Sequence, residues 1–315
     1  MPDALAIDLG GTKCSAAIVD KEGRILSRRT VPVDVSSRLG PVRQILQLAQ
    51  DLSAGKKPKQ VFAAAAVAVP GLVRPNGTVW APNLPEWNNL PLASRLKQSL
   101  EIPVVVESDR NAAVVGECWR GAARGKSDVV VLMIGTGIGA GILSGGRIVR
   151  GAHELAGCAG WLTVMRENVP NTSGTGELES LVSGPAIART ARKSLRDGEE
   201  SSLAQLDPSK ITAHEVAAAA RQGDRLAQDI FKQCGRLLGF GIANIVSLVD
   251  PLVVILGGGM ASAADLYLES LKTAMLERAQ PLAAKQVRIV VSKLGDKVIL
   301  LGCARLAFTG WKERP

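Results

Sequence analysis

Three glycine-rich turns follow apolar, strand-like runs in this chain. They are Asp8-Leu9-Gly10-Gly11-Thr12-Lys13, Gly135-Thr136-Gly137-Ile138-Gly139 and Gly257-Gly258-Gly259-Met260. Glycine after a strand lets backbone N–H groups approach a phosphate closely. A single such turn is weak evidence, because tight turns use glycine for their own geometry. Three in one chain, two with an adjacent Thr, point to a phosphate-bearing ligand. Two familiar phosphate sites are excluded. The GxxxxGK[ST] spacing of a Walker loop is absent. A dinucleotide fingerprint needs strand, GxGxxG and then helix. Here the first two turns lead into strands, and the third, which leads into a helix, lacks that spacing. The phosphates would lie under hairpins. Asp8 ends the strand before the first turn. It either stabilises that turn or orients a Mg²⁺ ion, through water, beside bound phosphates. Lys13 either neutralises phosphate charge or is a solvated strand residue.

The elements that must position these turns read from periodicity. Strands are expected over 4–8, 13–19, 24–33, 61–69, 103–107, 128–134, 139–143, 252–256 and 287–292. Helices are expected over 41–54, 110–120, 224–248, 262–279 and 298–309, and the chain from about 184 onward is mostly helical. Strand, Gly-Thr turn, strand, Gly turn, strand occurs near residue 5 and again near residue 130. This reads as an internal duplication of a β-meander, giving two related lobes with a cleft between them. Interleaved helices and strands make the class α/β.

Composition bounds the function. A length of 315 residues suits two compact domains. With 46% hydrophobic and 21% charged residues the chain is globular. With aromatics at 3%, the core must come from Ala, Val, Leu and Ile. The 5 Cys are scattered without a CxxC pair, and there are 2 His. A disulfide scaffold, a Cys-based zinc framework and a multi-histidine metal site are all excluded. The longest apolar stretch, Val61 to Val73, is broken by Pro70 and Gly71 and is too short to span a membrane. The N-terminal MPDALAIDLGG lacks a basic start and a cleavage site, so no signal peptide is expected and a reduced, cytoplasmic setting follows. The net charge of +9 would suit an anionic ligand, but no run of five basic residues suggests nucleic acid.

At these residues the chain resembles the ROK family (repressor, open reading frame, kinase) of the actin/hexokinase superfamily, known for glucokinases and N-acetylhexosamine kinases. Ile7 to Lys13 is similar to the family's first phosphate loop. Val69-Pro70-Gly71 and Ala81-Pro82-Asn83-Leu84-Pro85-Glu86-Trp87 look like its sugar-side loops. Glu107-Ser108-Asp109-Arg110-Asn111-Ala112-Ala113 resembles its catalytic stretch. Gly135 to Gly139 resembles the second phosphate loop, and Leu256 to Gly259 the adenosine-side loop.

The resemblance implies a two-lobed actin-like ATPase/hexokinase (ribonuclease H-like) fold with a central cleft. A small lobe of 1–113 plus 301–315 and a large lobe of 114–300 are expected. The implied cofactors are ATP and Mg²⁺. ATP would contact Asp8, Gly10, Gly11, Thr12, Lys13, Gly135, Thr136, Gly137, Gly257, Gly258 and Gly259. The implied substrate is a hexose or hexose derivative; the residues expected to touch it are Gly71, Asn83, Ser108, Asp109, Glu179 and, where the chain departs from the family, Cys158, Trp161 and Glu154 as a replacement carboxylate. Family members are often dimers, so a homodimer is expected; no nucleic-acid or membrane partner is.

The resemblance also makes Asp109 the catalytic base. The local sequence agrees: Asp109 follows a strand and precedes a helix, near the N-cap. There an Asp can simply cap the helix, or the helix N–H groups can favour its ionised form. An ionised carboxylate can take the proton of an attacking sugar hydroxyl. Phosphoryl transfer has a loose transition state, so alignment and charge neutralisation carry most of the catalysis.

The chain departs from the family at the sugar site. The family's GExGH supplies a Glu and a His; Gly157-Cys158-Ala159-Gly160-Trp161 puts Cys158 and Trp161 there. The zinc motif CxCGxxGCxE is replaced by Asn171-Thr172-Ser173-Gly174-Thr175-Gly176-Glu177-Leu178-Glu179, which keeps only the final Glu179. No structural zinc is expected, since such sites need thiolates. Ser108 replaces the Asn before the catalytic Asp. Losing the Glu and His bonds would cost about 3–6 kcal/mol, or roughly 10²- to 10⁴-fold, for a hexose using both. Trp161 either packs on sugar C–H groups or belongs to the core. Glu154 either replaces the lost carboxylate or is a solvated loop residue. Cys158 reads as a small buried filler, and His153 as a loop residue. Trp87 and Trp161, both on sugar-side segments, are the rings to test first. A non-catalytic sugar or nucleotide sensor is the alternative. A DNA-binding repressor is discounted, because family repressors carry a helix-turn-helix ahead of the first phosphate loop, which here begins at residue 7.

Overall fold

Strand β1 (Asp3–Leu9) is buried at Ala4, Leu5, Ala6, Ile7 and Leu9. Such an unbroken apolar run is what a strand covered on both faces requires. The computed structural model describes residues 2–165 and 174–309. β2 (Lys13–Val19) returns antiparallel to β1, with Asp8 opposite Ser15, and β3 (Ile25–Pro32) continues the meander. α1 (Gly40–Leu52) carries Val42, Ile45, Leu48, Ala49 and Leu52 into the core on one helical face. After the short α2 (Pro58–Val61), β4 (Phe62–Val69) pairs parallel with β1. The hairpin β5 (Leu72–Val73) and β6 (Val79–Trp80) and α3 (Leu92–Leu100) lead to β7 (Val104–Ser108), parallel to β4. α4 (Asp109–Arg120) follows without a break. The first sheet has the order β3-β2-β1-β4-β7.

The same plan then recurs. β8 (Val129–Ile134), β9 (Ile138–Ser144) and β10 (Arg147–Ile148) form the second meander. Four helices follow: α5 (Glu177–Val182), α6 (Gly184–Arg196), α7 (Ala213–Arg221) and α8 (Arg225–Val249). β11 (Val253–Gly257) then pairs parallel with β8, and after α9 (Ala264–Arg278) and α10 (Pro281–Gln286), β12 (Arg288–Val291) pairs parallel with β11. The order β10-β9-β8-β11-β12 repeats the first sheet strand for strand. The duplication read from the meander therefore extends to the fourth and fifth strands of each sheet.

The closing helix α11 (Val298–Thr309) packs on α4 at very short range. A Cβ on Gly302 would sit 1.8 Å from the Ala112 carbonyl oxygen, and one on Gly116 would sit 2.2 Å from that of Val298. Cys303 Sγ, 3.2 Å from the Ile7 carbonyl oxygen, brings α11 onto β1 as well.

Internal packing divides the chain into two units. One comprises Met1–Ser127, Gly141–Ala156 and Asp296–Pro315; the other comprises Asp128–Ala140 and Gly157–Gly295. This division differs from the lobes expected at 1–113 plus 301–315 and 114–300. The close seam with α11 keeps α4 whole within the first unit, where a boundary after Ala113 would cut it. No helix among the described residues is long and apolar enough to cross a membrane.

Candidate functional site

In the first unit the parallel strands β1, β4 and β7 end at one edge. Asp8 lies opposite Ala68, Ala68 opposite Glu107, and Val69 opposite Ser108. Two strand spacings, about 10 Å of backbone, therefore separate Asp8 from the β7–α4 junction. The turn after β1 is closed by the Gly10 N–H donating to the Lys13 carbonyl at 2.9 Å. Gly11, Thr12 and Lys13 are exposed there. Asn83 borders this turn, since a Cβ on Gly11 would lie 3.7 Å from that of Asn83. Gly71 is required by close approach: a Cβ would sit 2.1 Å from the Trp80 carbonyl oxygen. The sequence-expected residues Asp8, Gly10, Gly11, Thr12, Lys13, Gly71, Asn83, Ser108, Asp109 and Glu154 all belong to this unit.

Asp109 is the first residue of α4, and Ser108 takes the N-cap position without a side-chain capping bond. The capping alternative for Asp109 is thereby set aside, since Ser108 and not Asp109 holds the N-cap. Its Oδ1 accepts the Arg110 N–H at 2.7 Å. Burial raises the Asp109 pKa, and the Arg110 amide and guanidinium oppose that only in part. The expectation that the helix end favours the ionised form is thus overridden by desolvation. Asp8 is pushed up to about 6, first by burial and then by the Asp109 charge, with Lys13 and Arg28 pulling the other way. Carboxylate oxygens are hard donors, and the environment of Asp8, a buried carboxylate that takes up charge reluctantly on its own, fits a Mg²⁺ ion held directly or through water. Among the described residues no group of three or more His, Cys, Asp or Glu could hold a metal. Asn171, Thr172 and Ser173 of the replaced zinc motif lie outside the described residues.

A polar network that sequence reasoning missed surrounds this junction. Glu107 is buried; its Oε1 accepts the Ser108 N–H and the Asn111 Nδ2, both at 2.9 Å, and its Oε2 accepts Arg150 Nη2 at 2.8 Å. Arg110 donates from Nε to the Ala156 carbonyl at 3.1 Å and from Nη2 to the Glu154 carbonyl at 2.9 Å. The available signal was a charged residue, Glu107, closing a strand of valines. Its ion-pair partner, Arg150, lies 43 residues away, beyond any local pattern. Ser108 Oγ and Asn111 Oδ1 are buried without a partner. Glu154 is only partly exposed, with its carboxylate 4.0 Å from Arg150 Nε, so it is not a solvated loop residue; His153 is exposed.

In the second unit, β8 and β11 are parallel neighbours, and both end in glycine turns. Gly135 faces Gly259, since its Cβ would lie 3.9 Å from the Gly259 nitrogen. Gly258 has a φ of +80° and passes so near Ile134 that a Cβ would meet its carbonyl oxygen at 2.3 Å. Thr136 and Gly137 are exposed. The two turns thus form one backbone-lined edge. Glu179 Oε2 accepts the Ile138 N–H at 2.7 Å, an engagement with the second glycine turn that its expected sugar role did not include.

Cys158 is partly exposed, not the fully buried filler expected, and precedes a 3₁₀ turn at Ala159–Trp161. Trp161 is 56% exposed, which removes the core-packing alternative. Trp87 is 1% exposed and donates from Nε1 to the Arg38 carbonyl at 2.8 Å. It is therefore a core anchor, and of the two rings singled out only Trp161 is free for a ligand.

Two copies of one sheet plan, each with a glycine turn under its first hairpin, define the actin-like ATPase/hexokinase fold. The ROK family model matches residues 4–309, and the chain belongs to that family. A glucokinase of Thermotoga maritima is 32% identical over 308 residues, covering 96% of both chains. The crystal structure of a ROK family glucokinase from Streptomyces griseus, in complex with glucose and AMPPNP, superposes with a TM-score of 0.84 at 32% identity, covering 98% of this chain and 100% of that one. A ROK family transcriptional regulator, a homolog of the E. coli MLC protein, superposes with a TM-score of 0.87 at 25% identity, covering 96% of this chain and 77% of that one.

Proposed function

We propose that this protein is an ATP- and Mg²⁺-dependent sugar kinase that phosphorylates a hydroxyl of a hexose or hexose derivative, with Asp109 as general base. The observation that carries the reading is Asp109 itself: a carboxylate fixed at the head of α4, raised in pKa by burial, at the strand edge that also bears Asp8 and the first glycine turn. A base of raised pKa works best near neutral pH. Full-length similarity to glucokinases, one of them bound to glucose and AMPPNP, supports the same reaction class.

In this reading Gly10, Gly11, Thr12, Lys13, Gly135, Thr136, Gly137, Gly257, Gly258 and Gly259 hold the nucleotide, and Asp8 is the residue that would hold Mg²⁺. When bound, the ion supplies charge neutralisation on the phosphates. Asp109 aligns the sugar hydroxyl and takes its proton late, as the loose transition state requires. Gly71, Asn83, Ser108, Glu154, Cys158, Trp161 and Glu179 are the sugar-side candidates. Cys158 and Trp161, in place of the family's Glu and His, favour a less polar sugar substituent than an unmodified hexose presents.

The same two replacements, with the regulator's likeness in fold, favour a second reading: a sugar or nucleotide sensor that binds without turnover. Coupled ADP release over a panel of D-glucose, D-mannose and their N-acetylamino derivatives separates the two. Turnover that is lost by at least 10³-fold in Asp109→Ala, with nucleotide binding retained, is the expected result. Full turnover in that variant removes Asp109 as the base. Sugar binding without turnover in the native protein establishes the sensor.

A further inference from the structure

Glu154 is a non-glycine residue at φ +60°, in the left-handed region, and Gly151 at φ +77° opens the same turn. A left-handed non-glycine residue persists only where its surroundings hold it, and such strain gathers at functional sites. Three contacts hold this one. Arg110 bonds the carbonyls of Glu154 and Ala156, on either side of Leu155. The Ala156 N–H donates back to the Arg150 carbonyl at 2.9 Å. Arg150 bridges Glu107 at 2.8 Å and Glu154 at 4.0 Å. A guanidinium suits the first task, because its fixed fork presents parallel donors to two acceptors at once. All these groups lie in the first unit, and Arg110 is the residue immediately after Asp109.

We propose that Arg110 is a positioning residue that clamps the Gly151–Ala156 segment onto the catalytic turn and so presents the Glu154 carboxylate as a hydrogen-bond acceptor for a sugar hydroxyl. The clamp joins the residue that takes the proton to the segment that orients the sugar, so sugar affinity depends on a side chain that need not touch sugar. This inference rests on the kinase reading for its sugar arm; its structural arm stands alone. Arg150, bonded to Glu107 and close to the Glu154 carboxylate, completes the support. Arg110 cannot be replaced by a shorter cation, because one ammonium cannot reach both carbonyls in the same geometry.

Three variants test it, by steady-state kinetics over the same sugar panel and by amide hydrogen exchange. Arg110→Ala is expected to raise the sugar KM by about 10- to 100-fold, the range for losing a charge-assisted hydrogen bond, while the ATP KM stays within about twofold. Arg110→Lys recovers a minor part of that loss. Glu154→Gln raises the sugar KM with the segment's amide exchange unchanged. In Arg110→Ala the Ala156 amide exchanges at least about tenfold faster, with the amides of β1 unchanged as the check on folding. Unchanged exchange at Ala156 in Arg110→Ala overturns the clamp, whether or not the protein turns over any sugar. Loss confined to kcat, or equal rises in the sugar and ATP KM values, overturns the sugar-presenting role. Absence of turnover on every sugar, with faster Ala156 exchange, keeps the clamp and removes the kinase reading instead.

Discussion

Asp8 carries a cost to stability whose sign follows from its titration. Its pKa in the folded chain, about 6, lies above the ordinary carboxylate value of 3.8, so the folded protein holds that proton more tightly than the unfolded chain does. Folding then favours the acid form. The penalty is absent below about pH 4, grows between pH 4 and 6, and is complete above pH 6. Its size at neutral pH is about 3 kcal/mol for a shift of this magnitude. Asp8→Asn is therefore expected to be more stable than the native chain at pH 7.5 by up to about 3 kcal/mol, and equal to it at pH 4, while losing kinase activity. Denaturant midpoints at the two pH values decide this; an equal offset at both would show that Asp8 is not under electrostatic strain. A residue that destabilises its own fold at working pH, at the edge shared with Asp109, is what a cation-binding role would require.

The helix that carries Asp109 owes its place to the seam between α4 and α11. Gly116 and Gly302 let the two backbones meet at distances no Cβ could share. Gly302→Ala must push α11 away from Ala112 and is expected to cost about 1–3 kcal/mol. Because α4 begins at Asp109, the displacement also reaches the proposed base, and a shift of about 1 Å there can cost roughly 10² in rate. The expected signature is a fall in kcat larger than any change in ATP KM, together with a lower thermal midpoint. Wild-type kcat in a destabilised Gly302→Ala would show that the seam serves stability alone. At this scale the sequence was legible where patterns are local. β2 and α11 lie at the residues their apolar runs predict, 13–19 and 298–309. Both glycine turns under hairpins were readable for the same reason. The two-residue strands β5 and β6 and the nine-residue α3 gave no usable period, being too short for one. The parallel placement of β4 and β7 beside β1, and of β11 and β12 beside β8, depends on pairing across long separations. The Glu107, Arg110 and Arg150 network was hidden for that reason, and the burial that reverses the expected titration of Asp109 is likewise a product of packing.

For the whole molecule, the duplicated sheet puts glycine turns in both units, the first in one and the second and third in the other. The net charge of +9 gives an anionic ligand a favourable field, though the basic residues are dispersed and the backbone amides of the turns must supply the specificity. A nucleotide that binds the folded chain and not the unfolded one adds RT ln(1 + [L]/Kd) to stability, about 2.7 kcal/mol at a hundredfold excess over Kd. For a chain of this size that corresponds to a rise in Tm of about 4 °C. Mg²⁺·AMPPNP is therefore expected to raise the Tm without any sugar present, and to raise it equally in Asp109→Ala, because in the proposed mechanism that side chain serves the hydroxyl and not the phosphates. Gly258→Ala should lose the shift. Its φ of +80° and the 2.3 Å approach of a Cβ to the Ile134 carbonyl oxygen force the third turn away from the second, and the edge they form opens. A nucleotide shift that survives in Gly258→Ala would show that the third turn contributes little to nucleotide binding. A shift lost in Asp109→Ala would mean that the base and the nucleotide share one binding event, and the separation of roles drawn for Asp109 would fail.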